Sequence, residues 1–341
     1  MAAPGQTADW QDMTDDEILN LRVKDLGLRI KGSPVEPLID KLYEELAAHG
    51  ISFHPACYLA DEWLTPEGEP IIGIPFCLAH PRLKRLERRM MYEVEGETEE
   101  SCMKLLRHEC GHALNYAWRL HSRTRWRQLF GPFSVAYSQQ YDYQPYSRKF
   151  VIHLGEHYAQ AHPDEDFAET FAVWLGPNNN WRQKYHNWPA IKKLQYVDSA
   201  MKKHGHEPPV VPSPGNPPWS ASRMTSTLQS YYNRKRKDLG SDFRGYYDDS
   251  LRSLFTDAPR TRSPEKAAAL LRRHRRPIID NVARWTGHRK YDLHQLIDRF
   301  IARCDALRLY AEDEADNAIG AAALLAAIAT GTHRPAARTR V

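Results

Sequence analysis

The chain reads as an α+β fold, with a small strand pair near its N-terminus and helices over most of the remainder. Three observations predict this. Residues 51–59 and 70–76 are short apolar runs flanking a turn signal at 65–69. From residue 81 onward, apolar residues recur at intervals of three and four. Glu207 to Trp219 holds six prolines in thirteen positions, and beyond it the pattern is helical throughout. Composition sets the outer limits. With 341 residues, 42% of them hydrophobic and 11% aromatic, the chain can bury a sizeable core, so a disordered or fibrous protein is excluded. A net charge of +4 is too mild for a general nucleic-acid binder or an acidic solvating protein.

The elements follow in order. Thr14 with Glu17 is a capping box that opens a short helix running to about Asp25. Val35, Leu38, Ile39, Leu42, Tyr43 and Leu46 mark a second helix, stopped by Gly50. Strands are expected at Ile51–Leu59 and Pro70–Phe76, then a basic helix from Pro81 to Met91. A long helix from Thr98 to Leu120 carries Leu105, Leu106, Ala113, Leu114 and Ala117. Ser122 to Tyr158 reads as a loop rich in Tyr, Gln and Pro. Helical spacing returns after His162-Pro163, with Gly176 as terminator, and again over Ala190–Lys203. The expected division is a domain over 1–204, a Pro-rich linker over 205–219, and a helical, partly basic region over 220–341.

Five scattered cysteines without a C-x-x-C pair argue against a disulfide framework or a thiolate zinc site, and fit a reducing compartment. Met1 to Asp16 lacks the basic and apolar parts of a signal peptide, and Ala318 to Thr332 is shorter than the roughly 20 residues that span a bilayer. A soluble, cytoplasmic protein with no membrane partner is expected.

The chemistry is concentrated in His108-Glu109-Cys110-Gly111-His112. On a helix, positions i and i+4 share a face, so His108 and His112 can offer two imidazoles to one metal ion with Glu109 beside them as a base. By itself this HExxH string is moderately specific, and two ordinary surface histidines are the alternative. The small Cys110 and Gly111 and the apolar flanks favour a buried helix open on one face. Gly111 costs about 1 kcal/mol relative to Ala in a helix interior, which a close approach by another element or a substrate would explain. A catalytic zinc takes three protein ligands and leaves a position open. Glu165 and Glu169, at i and i+4 on the downstream helix, share a face, with Asp166 rotated about 100° away from Glu165. Glu165 is assigned as third ligand to a single zinc ion, and Glu169 as the carboxylate that orients a ligand imidazole. The alternative is an acidic cluster that merely complements the helix dipole.

These two strings resemble gluzincin-type zinc metallopeptidases, with a Glu-x-x-x-Glu helix completing the site as in lethal-factor-type proteases. The likeness is greatest to the bacterial zinc-binding metallopeptidase family, in which the string His162 to Thr170 is itself diagnostic. It covers roughly Asp15 to Leu175 and not the C-terminal region. It implies a zincin-like catalytic domain with a small sheet beside the metal helix, whose edge strand binds a peptide substrate; Ile71–Phe76 is the candidate, Pro75 favouring an edge, with a buried sheet strand as the equal alternative. It also implies that Tyr158, seven residues before Glu165, donates to the oxyanion. His157, His153 and the crowded Tyr137, Tyr141, Tyr143 and Tyr146 keep that assignment open.

The implied reaction is zinc-dependent hydrolysis of peptide or protein amide bonds, with a zinc-bound water as nucleophile and Glu109 as general base. An inactive zinc-binding scaffold and a zinc amidase acting on a non-protein substrate are the rivals. Arg260 to Lys290 carries ten basic residues against Glu265 and Asp280. A solvated helix face or an acidic partner is preferred there over nucleic acid.

Overall fold

The structure is a computed structural model and describes residues 10–91, 93–137, 144, 147–154, 157–177, 180–239, 248–259 and 264–330. Tyr141, Tyr143, Tyr146 and Arg260 to Ser263 lie outside them. The chain forms two compact units, Met1–Met90 with Val94–Tyr232, and Met91–Glu93 with Asn233–Val341. The division falls beyond residues 205–219, which pack within the first unit: the Val210 and Val211 amides both donate to the Ala117 carbonyl, at 2.8 and 3.1 Å.

In the first unit, helix α1 (Asp15–Leu19) starts at the expected capping box, with the Thr14 and Glu17 side chains bonding reciprocally to each other's backbone. It stops short of the expected Asp25. Tertiary pairing takes over there, because Val23 and Lys24 donate to Ser226 and Met224 at 3.1 Å each. Helix α2 (Glu36–Ala48) buries Ile39, Leu42 and Leu46. Strand β1 (Ala56–Ala60) pairs in parallel with β2 (Ile71–Pro75), Ala56 opposite Ile71. The short connection between them doubles back, and Leu64 forms an antiparallel bridge to Gly73 through both backbone groups, at 3.3 and 2.8 Å. Every residue of β2 is buried, so Ile71–Phe76 is not the open edge strand that the resemblance implied. The returning chain has covered that edge at Gly73.

Helix α3 (Pro81–Met91) follows, then α4 (Glu99–Ala117), capped at Thr98 by Ser101 in a reciprocal pair. From Cys102 to Ala117 all residues of α4 except Lys104 are buried, the pattern of a helix packed on several sides. It lies against α2, β2 and, most extensively, α6 (Pro163–Leu175). Arg107 of α4 is locked to Glu45 of α2 by two bonds of 2.7 Å. The region expected as loop contains a short helix, α5 (Thr124–Phe130), which buries Trp126 and Phe130 at i, i+4. Its two arginines, Arg125 and Arg127, hid that spacing. Helices α7 (Trp181–Lys184) and α8 (Ile191–His204) complete this layer, and α6 is held between α4 and α8.

The division at Tyr232 falls within α9 (Leu228–Leu239). The second unit contains α10 (Asp248–Leu254), β3 (Glu265–Lys266), α11 (Ala267–Arg273), α12 (Arg275–Thr286), α13 (Lys290–Leu307), β4 (Tyr310–Ala311) and α14 (Glu314–Ala329). The antiparallel β3–β4 rung is an addition to the expected helices. Leu271, Ile279, Leu293, Ile297 and Phe300 are central to its core, joined from the Ala-rich run by Ala321 and Leu325. The molecule is thus mainly helical with small sheets. Among the described residues no helix is long and apolar enough to cross a membrane.

Candidate metal centre

Close packing of α4 on α6 builds the site. A Cβ placed on Gly111 would stand 2.8 Å from the Ala168 Cα, so this glycine lets the helix backbones approach and brings the two motifs face to face. The element that Gly111 admits is therefore α6.

His108, His112 and Glu165 converge at that contact and are all buried. Glu165 Oε2 lies 3.0 Å from His108 Nε2 and 3.2 Å from His112 Nε2, and the two Nε2 atoms are themselves 3.2 Å apart. The far side of each ring is already committed. His108 Nδ1 donates to Glu169 Oε1 at 2.9 Å, and His112 Nδ1 donates to Asp164 Oδ2 at 2.9 Å. With Nδ1 as the donor, each neutral imidazole presents a lone pair at Nε2. Two lone pairs and a carboxylate oxygen then meet at one point, and only a cation or added protons can reconcile them. Two nitrogens and one oxygen are a donor set that suits zinc.

Electrostatics point the same way. Burial opposes charge on His108, but hydrogen bonds to Glu165 and Glu169 prevail and lift its pKa to about 10. His112 is raised well above its ordinary value against the same burial by Asp164 and Glu165. Burial alone would raise the Glu165 pKa, yet the two imidazoles hold it well below the usual carboxylate range. The pocket stabilises positive charge, whether carried by protons or by a metal.

The string from His162 to Thr170 has a physical role at nearly every position. The His162 ring caps α6 by accepting the Asp164 amide at 3.1 Å, and Pro163 occupies the first turn, where its missing N–H costs nothing. Asp164 accepts from His112, from the Tyr116 hydroxyl at 2.5 Å and from Asn115 at 2.7 Å. Asp166 turns away from the centre and pairs with Lys193 at 2.5 Å. Phe167 is fully buried, Ala168 meets Gly111, and Glu169 also accepts the Leu154 amide at 2.9 Å. The Thr170 hydroxyl donates to the Asp166 carbonyl at 2.6 Å.

Glu109 lies beside this cluster, buried, with Oε2 accepting from the Thr65 hydroxyl at 3.0 Å. Burial raises its pKa above the ordinary carboxylate value, in spite of the neighbouring imidazoles. Tyr158 has its ring 5.7 Å from that of His108, and burial followed by the Glu165 charge pushes its phenol pKa upward. The rival His153 is engaged elsewhere, its Nε2 donating to the Lys104 carbonyl at 3.0 Å. His157 stands half-buried at a left-handed backbone position.

Three residues escaped the sequence reading. Asp164 had a usable signal, since two ligand imidazoles call for two orienting acceptors and only Glu169 had been assigned. Thr65 had none, and Tyr137 stood out only as one of the crowded tyrosines, because only folding brings their loops to the helices; Tyr137 donates to Glu165 Oε1 at 3.1 Å.

No curated protein and no solved structure matches the chain. Residues 82–187, which contain both motifs and every helix that carries them, match the family model described as Putative zinc-binding metallo-peptidase, the family that the two strings resemble.

Proposed function

We propose that the first unit hydrolyses peptide amide bonds, with one zinc ion on His108, His112 and Glu165 and with Glu109 as general base. The observation that carries this reading is the meeting of three acceptor atoms within 3.2 Å while both Nδ1 positions are tied to carboxylates. When bound there, zinc supplies Lewis acidity and lowers the pKa of a water towards 7. Glu109 takes a proton from the attacking water at its carboxylate and returns it to the leaving amine. Thr65 holds that carboxylate in orientation, and the raised pKa of Glu109 brings it closer to the range in which a base can both accept and release a proton. Tyr158 keeps its proton and donates to the developing oxyanion. Residues Asp164 and Glu169 fix the tautomers that aim both Nε2 atoms inward.

The test is metal analysis joined to turnover on a diverse peptide library. Wild type should carry one zinc per chain and cleave some members. Glu109→Gln should keep its zinc and lose turnover by at least about a thousandfold, the scale expected for a deleted base. Retained cleavage in that variant would remove Glu109 from the mechanism. Zinc-loaded wild type that cleaves no peptide would favour the scaffold or a non-protein amide substrate.

A further inference from the structure

Tyr137 occupies a place that the hydrolytic scheme does not use. The residue is 58% exposed, yet its hydroxyl reaches inward to Glu165 Oε1 at 3.1 Å. That is the oxygen opposite the one facing the imidazoles, since Oε2 makes the contacts with His108 and His112. The ring is also anchored. It stacks on His162 with centroids 3.8 Å apart and planes 16° from parallel. His162 is in turn fixed at both nitrogens: Nδ1 accepts the Asp164 amide at 3.1 Å, and Nε2 donates to the Val135 carbonyl at 2.8 Å. One imidazole therefore caps the helix that carries Glu165 and also ties down the segment that carries Tyr137.

We infer that Tyr137 is a positioning residue for the third ligand, holding Glu165 Oε1 so that Oε2 alone is presented to the metal. This inference rests on the zinc reading of the site. A carboxylate free to rotate can bind a metal through one oxygen or two, and a hydrogen bond to one oxygen favours one-oxygen binding. That leaves a coordination position open for water and substrate. Tyr137 acts through Glu165 and carries no proton in the reaction.

The test compares wild type and Tyr137→Phe as full-length protein. The exposed ring and its stacking on His162 are kept, so the variant should fold and its metal-free form should melt at the wild-type temperature. Zinc affinity, read by competition with a chelator, should fall about tenfold, the lower end of what loss of a ligand's hydrogen-bond partner costs. Cobalt substitution gives a second readout. The visible absorption should weaken in Tyr137→Phe as Glu165 engages both oxygens and the coordination number rises. Wild-type zinc affinity and an unchanged cobalt spectrum in the variant would overturn the inference while leaving the zinc site standing. Failure of the wild type to bind zinc stoichiometrically would overturn both.

Discussion

Both ligand imidazoles end on carboxylates at Nδ1, and both carboxylates come from the helix that supplies Glu165. Asp164 and Glu169 thus set the direction of the lone pairs and the charge of the pocket together. Replacing Asp164 by Ala frees His112 to rotate and orphans the buried Tyr116 hydroxyl, so zinc affinity should fall about ten- to a hundredfold in a chelator competition. The same carboxylates make protons strong competitors of zinc. With the His108 pKa lifted to about 10 and that of His112 raised as well, the metal-free site favours protons that zinc must displace. Affinity should therefore rise with pH, the logarithm of the binding constant climbing between about pH 6 and 8 by about one or more per pH unit. Calorimetry in buffers of different ionisation enthalpy would count the released protons. A flat profile would show that the rings bind zinc from the neutral state.

At the scale of elements, the site depends on how closely α4 approaches α6. Gly111→Ala sets a methyl against the Ala168 backbone, which cannot yield as a flexible side chain would. The helices must separate, so a loss of about 1–3 kcal/mol in chemical denaturation is expected, together with weaker zinc binding as Glu165 recedes from the histidines. The opposite face of α6 is pinned to α8 by Asp166 and Lys193, both buried, with Lys193 also donating to the Lys149 carbonyl at 2.8 Å and lying 4.2 Å from the Phe150 ring centroid. Burial has raised the Asp166 pKa to about 7 even with this partner. Lys193→Met removes the charge that lets the buried Asp166 carboxyl ionise near pH 7, so its cost should appear as pH rises through about 7 and grow by up to about 1.4 kcal/mol per pH unit above it. The loss should shrink as pH falls, because protonation removes the unpaired charge; a penalty independent of pH would assign it to packing instead. Most of these helices were legible beforehand. Thr98, Pro163 and Gly176 bound α4 and α6 where capping chemistry places them. Helix α5 and the end of α1 were not, because in one case charged residues masked a short apolar repeat and in the other backbone bonds to Met224 and Ser226 took the place of α-helical ones.

Over the whole molecule, the mild net charge conceals a local excess, part of which the second unit pairs within itself. Arg272 pairs with Asp305, Arg273 with Glu265 and Glu314, Arg275 with Asp298, and Lys290 with Asp280. These pairs are mostly exposed and contribute little stability, but they engage four of the ten basic residues of 260–290 that phosphate binding would draw on. The full-length protein is expected to show no salt-dependent retention on DNA or RNA at physiological ionic strength, and binding whose logarithm falls linearly with that of salt would reverse this reading. The sequence by itself determined the residue types of the candidate metal site and their registers: His108 and His112 one turn apart, Glu165 and Glu169 one turn apart, each pair fixed to one face by helical geometry. Such local spacing survives any arrangement of the helices. Tertiary structure decided which atoms meet. The close approach at Gly111 sets Asp164 behind His112, the packing of α8 supplies Lys193 to Asp166, and distant loops bring Thr65 and Tyr137 to Glu109 and Glu165. Those contacts join residues 27 to 52 positions apart, and no periodicity along a chain encodes a pairing of that length.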